Sequence, residues 1–82
     1  MAKCDEVLAK AVRNPAGLRF AELCQLAECV GFEFSRQRGS HRIYRHPGLR
    51  KTLSFQDSRG QAKPYQVRQL LTIIAELGEW DE

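Results

Sequence analysis

The fold of this chain is decided by a stretch in its middle, FEFSRQRGSHRIYRHPGLRKTLSFQ, which occupies residues 32–56. Three segments show the polar–apolar alternation, or the β-branched and aromatic content, of strands: residues 32–35, 41–46 and 51–56. Turn sequences at 38–40 and 47–48 separate them. The stretch therefore predicts an antiparallel meander of three strands. The outward-facing residues of the second strand stay undecided, because Ile43 and Tyr44 point to opposite faces and both suit a core.

Helical periodicity appears on both sides of this meander. Apolar residues recur every three or four positions from about Leu18 to Val30, and Gly31 is a suitable stop. After the meander, Pro64 fits the first turn of a final helix, and Gly78 is placed to end it. A shorter periodic segment at residues 3–13 predicts an extra N-terminal helix.

This order of elements predicts an α+β fold in a single domain over residues 1–82. The pattern α-β-β-β-α, with two helices on one face of a three-stranded antiparallel sheet, is that of a double-stranded-RNA-binding domain. The short extra helix precedes it. The other face of the sheet stays open, but a fold alone does not separate a binder from an enzyme.

Positive charge is concentrated in residues 36–51. This window holds six of the 13 Lys/Arg residues, both histidines and none of the 10 Asp/Glu residues, which leaves the rest of the chain slightly acidic. A localised basic face is typical of nucleic-acid binders, although a solvated basic hairpin would look the same. The candidate RNA-binding residues are Arg36, Arg38, Gly39, Ser40, Arg42, Arg45, Arg50 and Lys51.

Two histidines in this window are candidates for proton transfer, since histidine is the side chain that ordinarily titrates near neutral pH. His41 follows the turn. His46 precedes Pro47, a position that suits a residue at the end of a strand as well as a catalytic one. The absence of carboxylates from the window argues against a site for a divalent metal, and we expect no cofactor. RNA supplies its own nucleophile, the 2′-hydroxyl, so a neutral imidazole and arginine side chains would suffice for cleavage.

The cysteines and the apolar runs suggest no further chemistry. Three cysteines, two of them five residues apart, indicate neither a disulfide framework nor a zinc site, and Cys24 suits a core position. The apolar run at residues 70–75 is too short to span a bilayer and no signal peptide is recognisable, so we expect a cytoplasmic protein with no membrane partner. Trp80 in the acidic C-terminal tail is a candidate to cover an apolar edge.

Three of these motifs together resemble the HicA toxin family of type II toxin–antitoxin modules. They are QRGSH at residues 37–41, the pair His46-Pro47, and AKPYQVRQ at residues 62–69, within a resemblance that spans about residues 14–78. The resemblance implies a small ribonuclease that cleaves messenger RNA and is silenced by a HicB-type antitoxin. It also implies that His41 is the catalytic histidine. His46 is a candidate general acid from its chemistry and its place in the window, not from the resemblance. Many relatives carry a second histidine where this chain has Arg42.

Two other functions remain open at this point. The chain could be a non-catalytic RNA-binding domain of the same fold, or an interaction protein whose basic face meets an acidic partner. An acidic antitoxin would also be expected to bury part of the window at residues 36–51.

Overall fold

The structure is a computed structural model that describes residues 2–50 and 52–78. Its elements in chain order are helix α1 (Ala2–Arg13), a short 3₁₀ helix (Pro15–Gly17), helix α2 (Phe20–Cys29), strands β1 (Glu33–Arg38), β2 (His41–Arg45) and β3 (Thr52–Gln56), and helix α3 (Pro64–Leu77). The predictions for Lys51 and Trp80 lie outside the described residues. Within these, no helix is long and apolar enough to cross a membrane.

The three strands form one antiparallel sheet in the order β1-β2-β3. Buried side chains from all three helices join those of β2 and β3 in one core, which includes Leu23, Tyr44, Phe55 and Leu70. The predicted α+β fold, α-β-β-β-α with an extra N-terminal helix, is confirmed. The core also settles the orientation of β2, because Tyr44 is fully buried under the helices while its neighbour Ile43 lies on the opposite face.

The ends of the helices follow from local chemistry. At the start of α2, the Glu22 carboxylate accepts the Arg19 backbone N–H at 2.9 Å and the Lys10 ammonium at 3.0 Å, which ties α1 to α2. The helix begins slightly later than predicted because the Leu18 carbonyl is already bonded to the Ala62 N–H. Pro64 and Gly78 bound α3 as expected, with Gly78 in the left-handed conformation at φ 70°.

The cysteine prediction is wrong in one respect. Cys4 of α1 and Cys29 at the end of α2 form a disulfide across 25 residues of sequence. Cysteine spacing did not indicate this bond, because it depends on the packing of α1 against α2, which is a non-local contact. Cys24 is a free, buried thiol, as predicted.

Candidate nucleic-acid interface

The sheet face turned away from the helices is the candidate site, and we call it the open face. From β2 it displays His41, Ile43 and Arg45, because alternate residues share a face and Tyr44 points into the core. The cross-strand partners of these three residues lie on the same face. They are Arg38, Arg36 and Glu33 in β1, and Gln56, Ser54 and Thr52 in β3.

A β-bulge in β1 brings two arginines to this face. Phe34 pairs with Tyr44, but the next pair is Arg36 with Ile43, so Ser35 is an extra residue. If Ser35 were paired as a regular strand residue, with no bulge, strict alternation would place Arg36 and Arg38 on the helix side with Phe34. The bulge therefore turns both guanidinium groups towards the face that holds His41.

His41 occupies the first position of β2, directly after the two-residue turn Gly39–Ser40. Gly39 has φ 59°, a left-handed conformation that suits glycine at the first turn position. The Ser40 carbonyl accepts the Asp57 N–H at 2.8 Å, which fixes the turn against the segment after β3. The His41 ring is half-buried and makes no hydrogen bond to any residue in 2–50 or 52–78. Its nitrogens are therefore available to a ligand.

The remaining RNA-binding candidates divide by position. Arg36, Arg38 and Arg45 are exposed on the open face with His41, and Gly39, Ser40 and Arg50 are exposed in turns. Glu33 stands opposite Arg45 on the same face, a carboxylate that lies just before the basic window. Among the described residues, no group of three or more His, Cys, Asp or Glu side chains could hold a metal ion.

Arg42 lies apart from these residues because it faces the helix side. Its Nε donates to the Tyr44 hydroxyl at 3.3 Å, one terminal nitrogen donates to Gln37 Oε1 at 3.4 Å, and the guanidinium carbon lies 4.3 Å from the centroid of the Phe34 ring. The Tyr44 hydroxyl in turn donates to Glu28 Oε2 at 3.2 Å. Burial raises the pKa of Tyr44 far above its usual value, so this hydroxyl keeps its proton. The structure thus does not bring Arg42 together with His41.

His46 also faces the helix side, and both of its ring nitrogens are bonded to backbone. Nδ1 accepts the Gly48 N–H at 2.9 Å, so the ring proton resides on Nε2 and is donated to the Val30 carbonyl at 3.1 Å. The ring packs edge-on against Phe32, with centroids 5.0 Å apart. Gly31 permits this approach, since a Cβ there would lie 3.0 Å from Nε2. The arrangement favours a structural role for His46 over that of a general acid.

Two neighbours of His41 were not among the sequence candidates. Ile43 and Gln56 flank His41 on the open face. Gln56 could be identified only from the register of β2 against β3. The spacing of the turns in the sequence does not determine that register.

Comparison with known proteins relates most of this chain to one family. The family model described as HicA toxin of bacterial toxin–antitoxin matches residues 20–77, which includes all three strands and helices α2 and α3. No curated protein and no solved structure matches the chain. The matched region is well over half of the sequence, and it contains the turn and both strands that carry His41 and its neighbouring arginines. The chain therefore belongs to the HicA toxin family of bacterial toxin–antitoxin systems, whose members are toxins of the ribonuclease type.

Proposed function

We propose that this protein is an endoribonuclease toxin that cleaves messenger RNA in the cytoplasm by metal-independent general base catalysis and is inhibited by a HicB-type antitoxin. One observation supports it above all. His41 stands on the open face with both ring nitrogens unbonded by the described residues, between Arg38 of one neighbouring strand and Gln56 of the other. A base with free nitrogens beside cationic groups is the minimum that RNA self-cleavage requires.

The step begins when neutral His41 takes the proton of a ribose 2′-hydroxyl. The 2′-oxygen then attacks the adjacent phosphorus, its bond to phosphorus forms, and the bond from phosphorus to the 5′-oxygen of the next nucleotide breaks. The products are a 2′,3′-cyclic phosphate and a 5′-hydroxyl. No other covalent partner is needed, because the nucleophile belongs to the substrate.

Charge builds on the phosphate oxygens during this attack. Arg38 is the cross-strand partner of His41, and Arg36 and Arg45 lie further along the same face. Guanidinium groups can bind two phosphate oxygens at once, so they are suited both to hold the RNA backbone and to stabilise the charge. Ser40 and Arg50 would contact the backbone beyond the cleaved bond.

The leaving 5′-oxygen must receive a proton, and in this proposal the proton comes from solvent. His46 was the sequence candidate for this role, yet it faces the helix side and its nitrogens are held by Val30 and Gly48. A general base contributes roughly 10²- to 10⁴-fold in rate. Without a matched general acid, turnover is expected to be slow, and slow turnover is compatible with a toxin.

The test is cleavage of labelled RNA by purified protein in excess EDTA. We expect products with 2′,3′-cyclic phosphate ends from the parent protein and none from His41→Ala, while both bind RNA. Arg13→Gln is the matched control, because it removes an exposed cation from α1, away from the open face. Equal cleavage by His41→Ala would refute the mechanism. Salt-sensitive binding without products from the parent would identify a non-catalytic RNA-binding domain instead.

A further inference from the structure

The two outer strands of the sheet differ in how their edges are closed. Along β3, the side chain of Gln66 from α3 takes the place of a neighbouring strand. Its Nε2 donates to the Ser54 carbonyl at 2.8 Å, and its Oε1 accepts the Gln56 N–H at 2.9 Å. Gln66 is 5% exposed, so the amide is firmly held in this position. The edge of β3 is thereby blocked to other chains.

No side chain among residues 2–50 and 52–78 covers the edge of β1 in this way. All six residues of β1 are exposed. Since Gln56 and Ser54 direct their backbone groups away from β2, their partners His41 and Ile43 direct theirs towards β1. The same alternation leaves the N–H and C=O of Gln37 pointing outwards, and no described residue bonds to them. These two groups can pair with an added strand.

The side chains around the edge of β1 indicate which residue types an added strand would need. On the helix side, Phe34 is 47% exposed under the Arg42 guanidinium. Beside it, a groove of about 300 Å³ between α2 and the sheet is lined in part by Phe20, Ala21 and Cys24. An apolar side chain of an added strand would contact this surface. Charged residues of that strand would meet Arg36 and Arg38 on the open face. The groove on the helix side is lined by both Arg42 and Glu28, so it suits the apolar residues of the strand better than its charged ones.

We propose that β1 pairs with an extended, acidic segment of a partner protein, which adds a fourth strand to the sheet. Arg36 and Arg38 flank the edge on the open face and Arg42 flanks it on the helix side, against Glu33 as the one carboxylate of β1. A second copy of this chain would bring two such arginine sets together, which is repulsive. RNA could bond the Gln37 N–H and carbonyl singly, through phosphate oxygens and 2′-hydroxyls, but it does not present alternating N–H and C=O groups at the spacing of a strand. The proposal goes beyond the ribonuclease activity and is independent of His41.

The test uses two synthetic peptides as probes, one of alternating glutamate and valine and one of alternating lysine and valine. We expect the acidic peptide to bind and to slow hydrogen exchange of the Gln37 amide in the unmodified protein. Gln37→Pro removes the outward N–H while keeping the bonds of β1 to β2, since proline is tolerated where the N–H faces solvent. It should weaken binding about tenfold. Gln37→Ala keeps the N–H and should bind within about twofold of the parent.

Three results with the peptides would overturn the proposal. They are equal affinity for the acidic and basic peptides, equal binding by Gln37→Pro and Gln37→Ala, or no added protection of the Gln37 amide. A concentration-dependent dimer that Gln37→Pro abolishes would also overturn it, in favour of a second copy at this edge. RNA cleavage by Gln37→Pro and Gln37→Ala is measured separately and tests the proposed ribonuclease function. If cleavage is absent while the acidic peptide still binds, the ribonuclease proposal fails and this one stands.

Discussion

His41 and His46 stand near the two ends of β2, and their imidazole rings meet opposite surroundings. The region around His41 is open, with the ring on the solvent side of the sheet and no hydrogen bond from the described residues. Around His46, the ring faces the helices, contacts Phe32 and is bonded at both nitrogens to the backbone of Val30 and Gly48. Five residues along the chain thus separate a histidine whose ring nitrogens have no partner among the described residues from one whose nitrogens are both bonded to backbone.

The largest effect should come from His41→Ala. Loss of the base should reduce the rate of RNA cleavage about 10²- to 10⁴-fold. Because the ring makes no bond to the described residues, unfolding in urea should shift little. Cleavage rates and unfolding curves of the parent and the variant check both parts. If His41→Ala lost much stability but cleaved RNA at the parent rate, His41 would be a structural residue and not the catalytic base.

The sequence accounts for most of the fold but for less of the site. Strand alternation, Pro64 and Gly78 were sufficient for the meander and the last helix, because those signals are local. The face of the sheet to which each side chain points could not be predicted from such local signals. Ser35 as an inserted residue reverses the side to which Arg36 and Arg38 point, and only the paired register reveals it. Arg42, which looked equivalent to these arginines in the sequence, consequently faces the other way.

The disulfide offers the next test, since Cys29 directly precedes the Val30 carbonyl that holds His46. Cys4→Ser should lower the free energy of unfolding by about 3 kcal/mol, the magnitude expected when a loop of this length is no longer closed in the unfolded chain. Reduction of the parent protein should give a similar shift. Cleavage at a temperature where the variant is folded should be unchanged, because α1 contributes nothing to the open face.

Unfolding in urea under oxidising and reducing conditions measures the effect. Cys24→Ser is the matched control, because Cys24 is not in the disulfide and its substitution should leave the response to reductant intact. A Cys4→Ser protein as stable as the parent would show that the bond does not support the His46 region.

His46→Ala should produce a smaller loss, on the order of 2 kcal/mol, since it removes two hydrogen bonds to backbone and one ring contact. RNA cleavage should persist below the transition temperature. Differential scanning calorimetry alongside the cleavage assay separates the two effects. A variant of unchanged stability whose cleavage falls as far as that of His41→Ala would restore His46 as the general acid.

The smallest expected effect concerns acid pH and a site remote from both histidines. The Arg19 backbone N–H, followed by the Lys10 ammonium, lowers the pKa of Glu22 below its ordinary value of 4.5, although burial opposes the shift. A carboxyl whose pKa is lower in the folded state stabilises the fold above its unfolded pKa, and that stability is lost as the pH falls through the folded value. Glu22→Gln should therefore cost about 1 kcal/mol at pH 7 and progressively less below pH 4.5. Urea unfolding of the parent and of Glu22→Gln, at neutral pH and near pH 3, measures this difference in the free energy of unfolding. Glu76→Gln, on the exposed side of α3, is the control. If the difference between Glu22→Gln and the parent is the same at both pH values, the Glu22 carboxylate does not help to fasten α1 to α2.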